Sequence, residues 1–193
     1  VHLIEQQLSK RGHGAATPLE IRRHELARDI VAAACMHGNF VYASGVRSDV
    51  YFDKYLFVTR PTILRRLAAM LADAIPPRTD RLAGAGFGAT ALVAALSLET
   101  GLPFVIVRER SDGAAHLIEG ELHVSERVVV VEDVMSTGNQ AIAAAKAVVA
   151  GGGTVETVVS VIDREEGGAA NVSAAGMHLF SLFTLSGIGG AAS

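Results

Sequence analysis

The chain has 193 residues, of which 50% are apolar, 19% charged and 5% aromatic, with 20 glycines and no tryptophan. That length buries a real core without disulfide or metal staples, and the apolar fraction excludes a disordered chain. A net charge of −3 gives no global pull toward nucleic acid, and a single cysteine, Cys35, excludes an internal disulfide and a Cys-cluster zinc site.

Residues 1–16, of mixed polarity, read as a tail or arm, and residues 17–193 as a single domain. Thr17-Pro18-Leu19-Glu20 opens a helix, with Thr as N-cap and Pro at the first helical position. Leu19, Leu26, Ile30 and Ala33 share one face of it, and Gly38 is its expected stop. Short strands are expected at Phe40–Tyr42 and Val50–Asp53, around a Ser44-Gly45 turn. Pro61 starts a second helix, with Leu64, Leu67, Leu71 and Ala74 at helical spacing and Pro76-Pro77 after its end.

Beyond that point strands and helices alternate. A strand at Arg81–Ala85 leads through glycines into a helix at about 89–100, then a strand at Phe104–Val107 and a polar loop over 109–120. The all-valine run Val128–Val131 suits a strand buried on both faces. A helix to about Ala150, a Gly151-Gly152-Gly153 stop and strands at Val155–Ile162 and His178–Phe183 follow. This alternation predicts an α/β fold, a parallel sheet with helices on both faces. Leu82–Leu98 is uncharged, but Gly84, Gly86 and Gly88 make it strand, loop and helix rather than a membrane span. No apolar core of a signal peptide marks the first residues, so a cytosolic protein is expected, with neither membrane nor nucleic acid among its partners.

The chemistry concentrates where the valine run ends. Ligands of open α/β sheets bind beyond the carboxyl ends of the strands. There the chain reads Glu132-Asp133-Val134-Met135-Ser136-Thr137-Gly138-Asn139-Gln140. Adjacent carboxylates suit vicinal hydroxyls, and a hydroxyl-bearing turn into a helix N-terminus suits a phosphate. A sugar phosphate satisfies both halves. The bland alternative is that Ser136 or Thr137 only caps the helix and the acids are solvated. Gly86 and Gly88 let backbone approach a diphosphate, or else serve helix packing. Arg47 and Arg164 are candidate anion ligands, each with the alternative of a surface ion pair.

The segment 132–140 resembles the phosphoribosyl-pyrophosphate (PRPP) signature of the type I phosphoribosyltransferases, and the chain from about 20 to 185 is similar to their orotate branch. Phe40 to Asp53, with its Ser-Gly turn, Arg47 and aromatic–Asp strand, carries the orotate likeness, as does Asp163-Arg164. Ala83 to Ala89 stands where the family has its pyrophosphate loop. The resemblance implies a mostly parallel open sheet with a small N-terminal hood, transfer of the phosphoribosyl group of PRPP to a base such as orotate, Mg2+ and a homodimer. It implies catalytic roles for Glu132, Asp133 and Arg108. PRPP binding would fall to Glu132, Asp133, Met135 to Gln140, Gly84, Gly86, Phe87, Gly88, Arg47 and Arg108. Arg164 and Arg47 would bind the acceptor, and Mg2+ would be held mainly by PRPP, with Asp133 as its candidate protein ligand.

One segment departs from the family pattern. Its mobile loop reads roughly Arg-Lys-x-x-Lys-x-His-Gly, whereas this chain has Arg108-Glu109-Arg110-Ser111-Asp112-Gly113 in a shorter loop. Preorganised positive charge at a departing pyrophosphate is worth on the order of 3–4 kcal/mol in the barrier, by analogy with lost oxyanion donors. Arg110 is a partial substitute, and His116 is either a second or a solvated loop residue. A catalytically weak PRPP- or nucleotide-binding regulator and an enzyme for another acceptor are the competing readings. The remaining histidines form no metal-ligand motif, Cys35 reads as core, and Lys54, Arg60, Arg65 and Arg66 read as a solvated basic edge.

Overall fold

In the computed structural model, which describes residues 19–41, 47–108 and 117–190, the chain enters through α1 (Leu19–Ala34). An antiparallel pair follows, β1 (Cys35–Val41) with β2 (Arg47–Phe52). The Thr17-Pro18 cap, the Ser44-Gly45 turn and residues 109–116 lie outside the described residues. Helix α1 stops at Ala34, earlier than Gly38, because Cys35, Met36 and His37 pair with Phe52, Tyr51 and Val50. Sheet pairing overrides the helical pattern there, and Gly38-Asn39 falls in a bulge where the register shifts between His37 and Phe40. Leu26, Ile30 and Ala33 are buried as expected. Leu19, at the first helical position, is exposed instead. Cys35 is half-buried at the start of β1 rather than in the core.

A single helical turn, α2 (Tyr55–Val58), precedes α3 (Pro61–Ala72), which begins on the proline as read. Then come β3 (Arg81–Ala85), α4 (Thr90–Thr100), β4 (Phe104–Arg108), β5 (Leu117–Glu119), β6 (Arg127–Met135), α5 (Asn139–Ala150), β7 (Thr154–Asp163), α6 (Gly168–Ala174), β8 (His178–Thr184) and α7 (Leu185–Gly190). Three of these were not legible as elements. β5 is a short antiparallel edge strand on β4, inside the stretch read as loop. α6, with 7 residues, and α7, with 6, are too short to show a helical stripe.

The sheet order is β5-β4-β3-β6-β7-β8, parallel except for β5. Two cores lie on its two faces. Val129, Val131 and Val159 face Leu67, Leu71, Leu92 and Leu96, whereas Val128, Val130 and Val158 face Ala141, Ala144 and Val148. Period-2 alternation thus sends the valine run into both cores at once. The expected α/β architecture with helices on both faces is observed.

This order places the ligand crevice. From β3 the chain crosses through α4 on one face to β4, and from the adjacent β6 it crosses through α5 on the other face to β7. Two neighbouring strands whose connections leave on opposite faces create a gap beyond their carboxyl ends. At their amino ends the same strands are locked by ion pairs, Arg81 to Glu126 at 2.7 Å and Arg127 to Asp80 at 2.8 Å. No helix among the described residues is long and apolar enough to cross a membrane.

Gly84 belongs to this packing. A Cβ on it would lie 2.8 Å from Val93 Cγ1 of α4, so its role is close helix-on-sheet contact. Gly84→Ala is expected to cost about 1–3 kcal/mol of stability by overpacking. Urea titration reads that loss, and Val93→Ala in the same chain should recover part of it; equal stability of parent and variant would rule out the tight contact.

Candidate active site

Pairing of β6 with β3 ends at Gly84–Val131, while pairing with β7 continues to Met135–Asp163. Glu132 and Asp133 therefore lie within the strand, on the stretch that β3 has already left. On sequence alone the valine run ended at Val131, with the two acids at the strand end and the loop beginning at Met135. The continued ladder to β7 corrects that boundary. It also removes the solvated alternative, since Glu132 is 3% and Asp133 0% exposed.

A buried carboxylate needs donors. Asp133 Oδ1 accepts from the Val134 amide at 2.8 Å and from Lys54 Nζ at 3.1 Å. Its Oδ2 is buried with no hydrogen-bond partner among the described residues. Lys54, placed between β2 and α2, was read as a solvated basic residue; its sequence neighbourhood gave no sign that it would reach the opposite strand. Burial works to lower the pKa of its ammonium, but attraction and hydrogen bonding to Asp133, with a smaller pull from Glu132, hold it above the usual lysine range. Burial, and then the adjacent Asp133 carboxylate, push Glu132 up to about 9.

The glycine loop after β3 faces this acid. A Cβ on Gly88 would come 2.2 Å from Asp133 Oδ2 and 3.0 Å from Lys54 Nζ, so only glycine fits between them. Gly86 has φ +72° and packs on Gln140, whose amide donates to Ala85 O at 2.7 Å. Gln140 thus ties the two sides of the crevice together through its side chain. Phe87 between the glycines is 81% exposed, its ring centroid 6.1 Å from that of Tyr55.

The turn after β6 ends on Gly138, the N-cap residue of α5, with φ +81° and no side-chain cap. The capping alternative for Ser136 and Thr137 therefore does not hold, and the first amides of a 12-residue helix are left to solvent or ligand. Met135 is buried in the core, which limits it to backbone contact with any ligand. Helix α6 braces this turn: Asn171 donates to Thr137 O at 2.9 Å, and Gly168 packs so closely that a Cβ would lie 2.5 Å from Ser136 O. Neither residue carried a sequence signal, because both act through a helix too short to be seen. Thr137, Asn139 and Gln140 are exposed and Ser136 half-buried.

The arginines are more dispersed. Arg164 follows β7, its amide bonded to Met135 O at 2.8 Å, which sets it one strand from the acids; its guanidinium pairs with Glu166 at 2.8 Å. Arg108, half-exposed at the end of β4, pairs with Glu119 of β5 at 2.6 Å. Arg47 is exposed at the start of β2, opposite Val41. In this structure none of the three contacts the acidic pair. Glu109, Arg110, Asp112 and His116 lie outside the described residues.

No protein-family model matches the chain. The orotate phosphoribosyltransferase of Natronomonas pharaonis is 42% identical over 157 residues, covering 80% of this chain and 90% of that protein. The chain belongs to the orotate phosphoribosyltransferase family. Among solved structures, the orotate phosphoribosyltransferase of Aeropyrum pernix superposes with a TM-score of 0.74 at 30% identity, over 84% of this chain and 95% of that one. The Mycobacterium tuberculosis H37Rv orotate phosphoribosyltransferase in complex with PRPP gives 0.72 at 29%, over 87% and 99%. The fold and the family expected from segments 40–53 and 132–140 are thereby established.

The raised pKa of Glu132 has a consequence for stability. Between its unfolded value of 4.5 and about 9 the folded protein keeps a proton that the unfolded chain releases, so stability falls as pH rises through that window. The slope from this group is at most about 1.4 kcal/mol per pH unit. Glu132→Gln keeps the neutral shape without the titration. The variant should gain on the parent in urea unfolding from pH 5 to pH 8.5 (roughly the window of the linkage); stability curves that stay parallel would show that Glu132 is not held neutral.

Proposed function

We propose that this chain catalyses transfer of the phosphoribosyl group of PRPP to orotate, giving orotidine 5′-phosphate and pyrophosphate for pyrimidine nucleotide biosynthesis. The observation that carries it is Asp133 Oδ2, without a partner among the described residues and buried opposite the Gly86–Gly88 turn, together with the uncapped start of α5. A hydroxyl donor is what that oxygen lacks. A diphosphate is what a side-chain-free loop accommodates, and a terminal phosphate suits a helix N-terminus.

In this reading Glu132 and Asp133 hold the ribose hydroxyls, and Asp133 supports the positive charge that develops as the bond from the anomeric carbon to pyrophosphate breaks. Ser136 to Gln140, chiefly through backbone amides and the hydroxyls, holds the 5′-phosphate. Gly84 shapes the diphosphate loop from below, while Gly86, Phe87 and Gly88 lie along it. Arg108 and Arg47 supply cations, and Arg164 is placed to take the acceptor's carboxylate. The base nitrogen forms its bond to the anomeric carbon on the face opposite the departing group.

The residues also fit Mg2+ held mainly by the substrate. Among the described residues no cluster of three or more His, Cys, Asp and Glu is present, while Asp133 Oδ2 is a buried oxygen with a free lone pair. When bound, Mg2+ supplies charge neutralisation of the diphosphate oxygens. The reading includes a homodimer, which light scattering tests directly. Purified protein should release pyrophosphate from PRPP only when orotate and Mg2+ are both present. Asp133→Asn should lower kcat/KM by about 100- to 1,000-fold, the scale of losing one preorganised electrostatic contact. PRPP binding with no pyrophosphate release across a panel of bases would replace the enzyme with a PRPP-binding regulator.

A further inference from the structure

We infer that Lys54 is a positioning residue for phosphoribosyl transfer, holding Asp133 by Oδ1 so that Oδ2 alone is presented to the ribose. The inference deepens the proposed function and rests on it for the identity of the sugar. The two oxygens of Asp133 are unlike. Oδ1 accepts from the Val134 amide and the Lys54 ammonium, whereas Oδ2 has no hydrogen-bond partner among the described residues. An amide alone fixes one bond but leaves the carboxylate free to rotate about it. A second donor on the same oxygen removes that freedom and settles which oxygen faces the Gly88 turn.

The lysine is itself held. Asp53 N donates to Ala34 O at 2.9 Å and Tyr55 N to Asp53 Oδ1 at 2.9 Å, so the backbone is pinned on both sides of Lys54. Its ammonium lies 5.6 Å from the Tyr55 ring centroid, within cation–π range. An exposed ion pair would contribute little, but Asp133 is fully buried, where loss of the partner strands a charge. Gly88 completes the arrangement: a side chain there would displace either the ammonium or Oδ2. Lys54 therefore sits where the ribose-holding acid and the diphosphate loop meet, in a chain whose loop at 108–113 holds fewer cations than the family pattern.

The test compares Lys54→Met, Lys54→Arg, Asp133→Asn and the Lys54→Met/Asp133→Asn double variant, with PRPP and orotate varied separately. Lys54→Met should lower kcat/KM for PRPP by about 100-fold, the scale of breaking a buried pair, while KM for orotate stays within about twofold. Lys54→Arg should restore most of the loss. In the Asp133→Asn background the lysine change should cost less than about threefold, because the two residues act as one unit. A merely structural lysine would lower the melting temperature and add its effect to that of Asp133→Asn; additive losses, or a Lys54→Met enzyme within about threefold of the parent, overturn the inference. Should Lys54→Met not fold, Lys54→Gln against Lys54→Arg makes the same comparison. PRPP calorimetry without acceptor separates the two readings. Weaker PRPP binding by Lys54→Met in a protein that never turns over orotate removes the proposed function and keeps the part of the inference that Lys54 sets Asp133 for the sugar, and unaltered binding with orotate turnover does the reverse.

Discussion

A carboxylate placed inside a sheet, with one oxygen satisfied and the other not, is costly in a protein interior. Asp133 is such a group, and much of the site follows from accommodating it. The strand β6 must outrun its neighbour β3 so that a gap exists beside the acid. The chain leaving β3 must pass without a side chain at Gly88. A cation must arrive from outside the sheet, and Lys54 brings it from the segment joining β2 to α2. Each of these features lowers the cost of the acid, and together they leave a single buried oxygen available to a ligand.

The two ends of the β3–β6 pair divide stability from function. At the amino end the charges that open the two strands are paired: Arg81 grips Glu126 through two guanidinium nitrogens, and Arg127 grips Asp80. The Asp80 carboxyl is held down to about 2 by the Arg127 hydrogen bonds. At the carboxyl end, bonding potential is left open in Asp133 Oδ2 and the first amides of α5. The buried valine alternation fixes the register of the pair, so the open end keeps its unsatisfied groups without the strands slipping.

The regular part of the sheet was legible because valine alternation, Gly stops and Pro starts act locally. β3 was placed to the residue, and β4, β6 and β7 differed only in length. The errors share one cause, which is pairing with a distant strand. Cys35 to His37 follow a helical stripe yet pair with β2, and Glu132 to Met135 lie past the valine run yet pair with β7. The site was legible in its acids and glycines, whose chemistry is carried by residue type at fixed spacing. It was illegible in Lys54, Gly168 and Asn171, which contribute across 79, 32 and 34 positions in sequence respectively, to Asp133, Ser136 and Thr137. Nothing in the local pattern distinguishes a lysine that will meet a buried acid from one that stays in water.

The arginines show the same limit from the other side. Arg108 and Arg164 stand at the ends of β4 and β7, the strands outward of the crevice, and both are paired with neighbouring glutamates rather than with the acids. Such exposed pairs are weak, on the order of 0–1 kcal/mol, so a ligand phosphate or carboxylate displaces them at little cost. The Lys54–Asp133 pair is of another kind, since its acid is wholly buried and the alternative partner for Lys54 is only water. Positive charge at the crevice is therefore of two sorts. One is fixed and shapes the acid before any substrate arrives, and the other is loosely held at the rim and available to move onto an anion. A site that must grip a sugar firmly and let a pyrophosphate leave needs both, which gives a physical reason for cations on the rim to exchange partners while the one beneath the glycine loop does not.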